Sequence, residues 1–171
     1  IVRRTVETTL ESKYGGEWRM LVYVNKITYA EHVALVKGDI TTANPVLVRM
    51  HALSIMEDVL GDTSGSRGGG ELQTAMHRIA EEGRGVVVMI REPTPTSLSD
   101  RVKVKLKAAV DGKSSENELR DYGVGAQILV DLGVSEMVLV SNSKRNVIGL
   151  DGYGLSIVGH KTMSAEAGEG E

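Results

Sequence analysis

Apolar and polar residues alternate through much of the first fifty positions, and this alternation predicts strands. We expect strands at Thr5 to Leu10, Arg19 to Val24, His32 to Val36 and Pro45 to Met50. A glycine pair, Gly15-Gly16, supplies a turn after the first strand. Proline stands at the start of the fourth strand, where a missing N–H costs least. The sequence therefore predicts β structure for this part of the chain.

The apolar period changes from two to about 3.6 residues after position 70. Five apolar side chains fall at i, i+3, i+4, i+7 and i+8, namely Leu72, Ala75, Met76, Ile79 and Ala80. This spacing predicts a helix from Glu71 to Glu82, with Gly83 as its C-terminal cap. A continuous apolar run, Val86 to Ile90, then indicates a buried strand.

A second helix and strand follow further along the chain. The pattern predicts a helix over Gly125 to Leu132 that ends at Gly133, and then a strand over Met137 to Val140. Two helix–strand units of this kind indicate a mixed β-sheet with helices packed on a face. The predicted fold class is therefore α+β.

Three other segments complete the prediction. Ser99 to Val110 is predicted as a basic helix, because Val102, Leu106 and Val110 share one face. The glycine-rich stretch from Gly61 to Gly70 is expected to be a mobile or a rebuilt loop. Residues 164–171 are small and acidic, so we expect a disordered tail and a single domain over residues 1–163.

Charge and composition exclude several classes of protein. Lysine plus arginine total 20 and aspartate plus glutamate 23, which gives a net charge of −3 without a dense block of like charges. We therefore expect no nucleic-acid binding. The chain has no long apolar stretch and no signal peptide, so we expect a cytoplasmic protein without membrane contact. It has no cysteine, which excludes disulfides and thiolate metal sites.

Several segments are similar, in order and spacing, to the GTP cyclohydrolase II family of riboflavin biosynthesis. The matching segments are Glu31 to Ile40, Pro45 to His51, Arg78 to Gly85, Arg120 to Leu129 and Gly149 to Leu155. The match is poor from about 54 to 69 and from about 92 to 116. The resemblance implies a homodimer, and the family often occurs fused behind 3,4-dihydroxy-2-butanone 4-phosphate synthase. A chain that begins with Ile1 instead of methionine fits an excised domain of such a fusion, although processing would leave the same trace.

The resemblance also implies a zinc ion, which three cysteines hold in the family. Such an ion can lower the pKa of its bound water from about 15.7 to about 7. Losing this shift withdraws about 12 kcal/mol of driving force for making hydroxide at neutral pH. Here Ser54 stands at the position of the first cysteine, three residues after His51. The positions of the other two cysteines fall within Gly65 to Gly69. We therefore expect no zinc, no other metal cofactor and a catalytically degenerate site.

Other positions match the family's functional motifs only in part. The Gln-Glu-Gly-Arg motif becomes Arg91 to Thr94 and keeps Glu92, and the helix that should carry a catalytic tyrosine has none. The Asp-x-Arg pair becomes Glu118-Leu119-Arg120, so the resemblance makes Glu118 and Arg120 remnants of catalytic residues. The candidates that the resemblance gives for weak nucleotide or phosphate binding are Arg49, Glu92, Ser141, Asn142 and Lys144.

Ordinary structural roles compete with each of these assignments. Arg120 could pair with a surface carboxylate, and residues 141–146 could be a plain solvated loop. His51, Asp58 and His77 could form a different metal site, or they could have separate roles on a strand and a helix. The Gly65 to Gly70 spacing lacks the lysine of a phosphate loop, so it does not indicate one.

Two hypotheses follow for the function. The first is a non-catalytic domain that serves dimerisation, supports or regulates a fused synthase, or binds a ligand. The second is an active GTP cyclohydrolase II, or a related nucleotide hydrolase, with an altered site. The first accounts for scaffold segments that match while the zinc, tyrosine and Gln-Glu-Gly-Arg positions fail together.

Overall fold

A computed structural model of the chain describes residues 1–42, 44–64, 69–111, 123–141, 150 and 152–163. The strands in these ranges are β1 (Val2–Ser12), β2 (Gly16–Asn25), β3 (Glu31–Lys37), β4 (Val46–Ala52), β5 (Gly85–Ile90), β6 (Glu136–Val140) and β7 (Ser156–Lys161). The α-helices are α1 (Glu71–Glu82), α2 (Ser97–Asp111) and α3 (Gly123–Asp131), and a π-helical turn spans Ile55–Val59.

All seven strands form one sheet in the order β1-β2-β3-β5-β4-β6-β7. The pairs from β1 through β3 to β5 are antiparallel, whereas β5, β4, β6 and β7 run parallel to one another. The predicted α+β fold with a mixed sheet is therefore confirmed. In the parallel half, β4 lies between β5 and β6, although it precedes both in the sequence.

Alternation along β5 divides the interior into two cores. Val86 and Val88 pack into the core that contains Ile128 and Leu129 of α3. Val87 packs into the core that contains Ile79 of α1. The two helices thus lie on opposite faces of the sheet, and helices cover both faces instead of one. A central parallel strand needs apolar residues on both faces, which explains the continuous apolar run.

The predicted helix from Glu71 to Glu82 is confirmed at both ends. It stops at Gly83, whose φ of 81° is left-handed and whose N–H bonds to the carbonyl oxygens of Ile79 and Ala80. The predicted basic helix is also confirmed, and it begins two residues early at Ser97. None of the described helices is long and apolar enough to cross a membrane.

The sequence did not predict two elements. Strand β7 is exposed along most of its length, so its sequence has only a weak alternation of apolar and polar residues. The π-helical turn has no buried apolar residue to signal it, and it follows Ser54, whose side chain accepts a hydrogen bond from the Glu57 N–H. The tail predicted to be disordered, residues 164–171, lies outside the described residues.

One close backbone contact joins the end of β3 to the end of α1. Gly38 has a φ of 71°, and a Cβ there would lie 2.3 Å from the carbonyl oxygen of Gly83. Next to this contact, Arg84 donates three hydrogen bonds of 2.7–2.8 Å to the carbonyl oxygens of Asp39, Asn44 and Pro45. The guanidinium thereby fixes the loop that leads into β4.

Candidate functional site

The carboxyl ends of β4, β5 and β6 meet at one edge of the sheet, because the three strands are parallel. The chain leaves β4 toward α1 on one face, and α3 covers the other face. Such an edge is where open α/β sheets usually bind ligands. Three of the predicted nucleotide-binding residues belong to these strands or follow them: Arg49 in β4, Glu92 after β5 and Ser141 after β6. This edge is therefore the candidate functional site.

Arg49 lies at this edge and is almost entirely buried, with 6% of the residue exposed. Its Nη2 donates to Glu71 Oε1 at 2.8 Å, and Glu71 is the first residue of α1. Its Nη1 lies 3.4 Å from the carbonyl oxygen of Val140, the last residue of β6. Arg49 therefore links β4 to β6 by a hydrogen bond, and it links β4 to the start of α1 by a buried ion pair.

His51 is two residues further along β4, on the same face as Arg49, and it is 4% exposed. Its Nδ1 lies 3.1 Å from Arg49 Nη2, and its Nε2 lies 2.8 Å from Asp58 Oδ2. A guanidinium can only donate, so Nδ1 must accept and the ring proton resides on Nε2. Both ring nitrogens of His51 are thus engaged by protein groups.

Asp58 belongs to the π-helical turn, and its side chain is 3% exposed. Burial raises the pKa of this carboxyl, but the hydrogen bond from His51 lowers it, together with the Ser54 N–H and the charge of Arg49. The net result is a pKa below its ordinary value of 3.8. Gln73 of α1 also donates to the Asp58 carbonyl oxygen at 3.0 Å. The Asp58 carboxylate therefore holds the turn against β4 and α1.

We expect Asp58→Asn to destabilise the protein in a pH-dependent way. Because the pKa of Asp58 is lowered by folding, its contribution is present above the ordinary pKa and is lost as pH falls through the folded pKa. The variant should lose about 1.5–3 kcal/mol near pH 7, as expected for a hydrogen bond to a charged group. The gap to the wild type should shrink below about pH 4.

Urea unfolding at a series of pH values measures this gap directly. Glu11→Gln is the control, since it neutralises an exposed carboxylate of β1. A gap that stays constant through the acid range would contradict a stabilising charge on Asp58.

Ser54, the residue at the first cysteine position, has a local structural role. It is 8% exposed, its N–H donates to Asp58 Oδ2 at 2.8 Å, and its hydroxyl accepts from the Glu57 N–H at 3.4 Å. His77 instead packs edge-on against the Tyr14 ring, with centroids 5.9 Å apart. The structure thus brings His51 and Asp58 together and places His77 in another contact. Within the described ranges, no group of three or more His, Cys, Asp or Glu could hold a metal ion.

Helix α2 reaches the same edge through its basic side chains. Arg101 pairs with Glu92 at 3.4 Å, and Lys105 forms an ion pair with Asp62 and a 2.5 Å hydrogen bond to Ser64 Oγ. The hydrogen bond from Lys105 is the largest cause of the lowered pKa of Asp62. The basic helix is therefore attached to the loop after the π-helical turn by charge.

The sequence missed most of the partners in these ion pairs. Arg49 and Glu71 are 22 residues apart, and Lys105 and Asp62 are 43 apart, so no local spacing signals either pair. Glu71 at the first position of a helix is also explained by the helix dipole alone. Glu118, Arg120, Asn142 and Lys144 lie outside the described residues, so their proposed roles stay predictions.

Comparison with known proteins identifies similar chains. The family model for GTP cyclohydrolase II matches residues 3–162. The riboflavin biosynthesis protein RibBA of Chlorobium phaeovibrioides (strain DSM 265 / 1930) is 38% identical over 97% of this chain and 42% of its own length. RibBA of Bacillus subtilis (strain 168) is 40% identical over 99% of this chain and 44% of its own. The chain thus spans less than half the length of these relatives.

A solved structure shares the fold. It is RibBX, described as a two domain 3,4-dihydroxy-2-butanone 4-phosphate synthase from A. baumannii, with a TM-score of 0.57 and 25% identity. The similarity covers 94% of this chain and 39% of that one.

Proposed function

Because the chain belongs to the GTP cyclohydrolase II family, we propose that it is a zinc-less, non-catalytic member of that family. In this proposal it is one domain of a riboflavin biosynthesis protein, fused to a 3,4-dihydroxy-2-butanone 4-phosphate synthase that it supports or regulates. The names of the similar RibBA and RibBX chains support this context. The homodimer implied by the family resemblance is part of the same proposal.

The absence of cysteine removes the family's zinc ligands, and the engagement of His51 argues against an altered zinc site in their place. Zinc binds imidazole through a nitrogen lone pair, but the Nδ1 lone pair of His51 faces the Arg49 guanidinium and Nε2 faces Asp58. Ser54 offers a hydroxyl where the family has a sulfur, and this hydroxyl already caps the π-helical turn. The donor set at this place therefore does not fit the family's zinc ion.

The charges at the edge also fit a structural role better than triphosphate binding. Arg49 is paired with Glu71, Arg101 with Glu92 and Lys105 with Asp62, so three cations face carboxylates of the same chain. A polyanionic nucleotide would have to displace these carboxylates. Any nucleotide or phosphate affinity that Arg49, Glu92 and Ser141 contribute is accordingly expected to be weak.

Metal analysis and a formate assay test the proposed loss of activity. We expect less than stoichiometric zinc in the purified protein and no formate release from GTP, because the chain has no cysteine and both His51 and Ser54 are engaged by protein groups. An authentic GTP cyclohydrolase II assayed in parallel is the positive control. One zinc per chain together with turnover would establish the competing hypothesis of an active enzyme with an altered site.

A deletion in the full-length protein tests the supporting role. Synthase activity and oligomeric state should both change when this domain is removed, if the domain supports or regulates the synthase. Unchanged activity, assembly and regulation in the shortened protein would count against that role.

A further inference from the structure

Strand β1 lies at one edge of the sheet, and its outer side is open. The strand is 11 residues long, and every residue from Arg3 to Thr9 is exposed. Among the described strands, β1 pairs only with β2, which lies on its inner side. A long strand with an open edge is a template for pairing with a further strand. The outer side of β1 is therefore an interaction surface.

Hydrogen bonds at the start of β1 show which of its backbone groups face outward. The Lys26 N–H donates to the Ile1 carbonyl oxygen, across the β1–β2 pair. The Val2 N–H points away from β2 and donates to Gln127 Oε1. Antiparallel strands alternate in this way, and the register shift within β1 moves the alternation by one residue. The later outward N–H groups of β1 are those of Arg4, Glu7, Thr9 and Glu11.

Two β1 strands could join through these outward groups in antiparallel registers that centre on Glu7, Thr8 or Thr9. Centring on Glu7 places this carboxylate opposite Glu7 of the second copy. Centring on Thr9 places Glu7 opposite Glu11 of the second copy. Like charges directly opposite each other destabilise a strand pair. The register centred on Thr8 avoids both contacts.

The register centred on Thr8 also brings unlike charges together. Measured along β2, Arg4 and Glu11 lie at equal distances on either side of Thr8. Each therefore comes opposite the other in a second copy, and two-fold symmetry forms this pair twice. Arg4 keeps 38% of its side chain exposed beside its ion pair with Asp131, and Glu11 is also exposed. Opposite charges in such cross-strand positions stabilise a strand pair.

The same register brings apolar side chains together. Val6 and Leu10 are also equally far from Thr8 along β2, so each comes opposite the other. Val6 is 54% exposed, and Leu10 is partly buried against the core that contains Trp18. Pairing would extend this core across the contact between the two copies. Strand β1 is thus complementary, in charge and in apolar surface, to a second β1.

We propose that two copies of this chain associate through β1, in an antiparallel pair with Thr8 at the two-fold axis. The inference rests on the homodimer included in the proposed function, and it names the surface of that dimer. The outward N–H and carbonyl groups of one β1 then bond to those of the other, and the two sheets become continuous. The regular stretch from Val6 to Ser12 carries the pairing, because the register shift in β1 lies before Val6.

Cysteine cross-linking of the full-length protein tests this register. The chain has no cysteine of its own, so a cysteine introduced at Thr8 is the only one in this domain. In the proposed pair it faces its symmetry mate at a non-hydrogen-bonded position, where Cα atoms are about 4.5 Å apart and a disulfide can form. We expect Thr8→Cys to give a disulfide-linked dimer in oxidised glutathione, with the link located by mass spectrometry.

Val6→Cys is the matched control for chance collisions. Val6 is exposed and lies two residues from Thr8 on the same side of β1. In the proposed register the two copies of Val6 are about 14 Å apart along the strand, so their link should be at least about tenfold weaker. Equal yields in the two variants, a dimeric protein without the Thr8→Cys link, or a monomeric protein would each overturn the proposal.

A proline at Thr9 tests the backbone pairing itself. Its N–H faces outward, so Thr9→Pro leaves the bonds to β2 in place but removes a donor to the second copy. In the Thr8→Cys background this variant should lower the link yield about tenfold or more, whereas Thr9→Ala should keep it. Circular dichroism checks that both variants are folded. A proline variant that is folded and links as well as the alanine variant would contradict pairing through the β1 backbone.

These outcomes separate the inference from the non-catalytic role in the proposed function. A dimeric protein that binds no zinc, releases no formate and forms no Thr8→Cys link would refute the β1 pairing alone. Formate release from GTP with bound zinc would refute the non-catalytic role, whichever links form.

Discussion

Replacing Arg49 with methionine is expected to lower the free energy of unfolding by about 3–5 kcal/mol, since the substitution leaves a charge buried without its partner. The side chains of Arg49 and Glu71 are 8% and 12% exposed, so Glu71 cannot regain full hydration within the fold. His51 would lose the donor to its Nδ1 at the same time. Chemical denaturation at neutral pH measures the loss.

Two further variants show whether the loss comes from the unpaired charge. Arg49→Met combined with Glu71→Met should recover most of the stability, because replacing both partners of a buried pair by apolar residues is often nearly neutral. Lys161→Met breaks the exposed pair with Glu82, where the side chains are 42% and 38% exposed, and should cost less than about 1 kcal/mol. A similar small loss in Arg49→Met would mean that the buried pair does not brace the site.

The second large effect is expected at Gly38. Gly38→Ala should cost about 1–2 kcal/mol for the left-handed backbone and about 1–3 kcal/mol more for the clash with the Gly83 carbonyl oxygen. The Cβ would stand 2.3 Å from that oxygen, and a main-chain atom cannot rotate away. Thermal or urea unfolding would report the combined loss.

Gly83→Ala is the matched control for the clash. Its φ is also left-handed, at 81°, but a Cβ there would meet nothing within 4 Å. This variant should therefore show the backbone cost alone. Equal losses at the two positions would mean that the contact between β3 and α1 relaxes without strain.

Periodicity predicted most of the fold because the core is built from strands and helices with clear apolar faces. Leu72, Ala75, Met76 and Ile79 are buried on one side of α1, as their spacing indicated. The run from Val86 to Ile90 became the central strand β5. Strand β7 escaped prediction because it lies at the sheet edge and buries little, so its apolar residues carry no strong period.

The candidate site was predictable only as a set of positions. Parallel strands that end at one edge bring Arg49 and Ser141 into the same region. The sequence could not show that Arg49 is neutralised by Glu71, since the pairing depends on how α1 packs across β4. It also could not show that α2 turns Lys105 inward, because that orientation depends on Asp62 in a distant loop.

The insertion of β4 between β5 and β6 has a consequence for the order in which the chain can assemble. A nascent chain emerging from the ribosome can complete the β1–β3 meander early, but β4 has no neighbouring strand until β5 has been synthesised. Asp58 and Glu71 both lie between β4 and β5 in the sequence. The acidic partners of His51 and Arg49 have thus already been synthesised when β5 pairs with β4. Neither basic side chain has to be buried before its carboxylate partner is present.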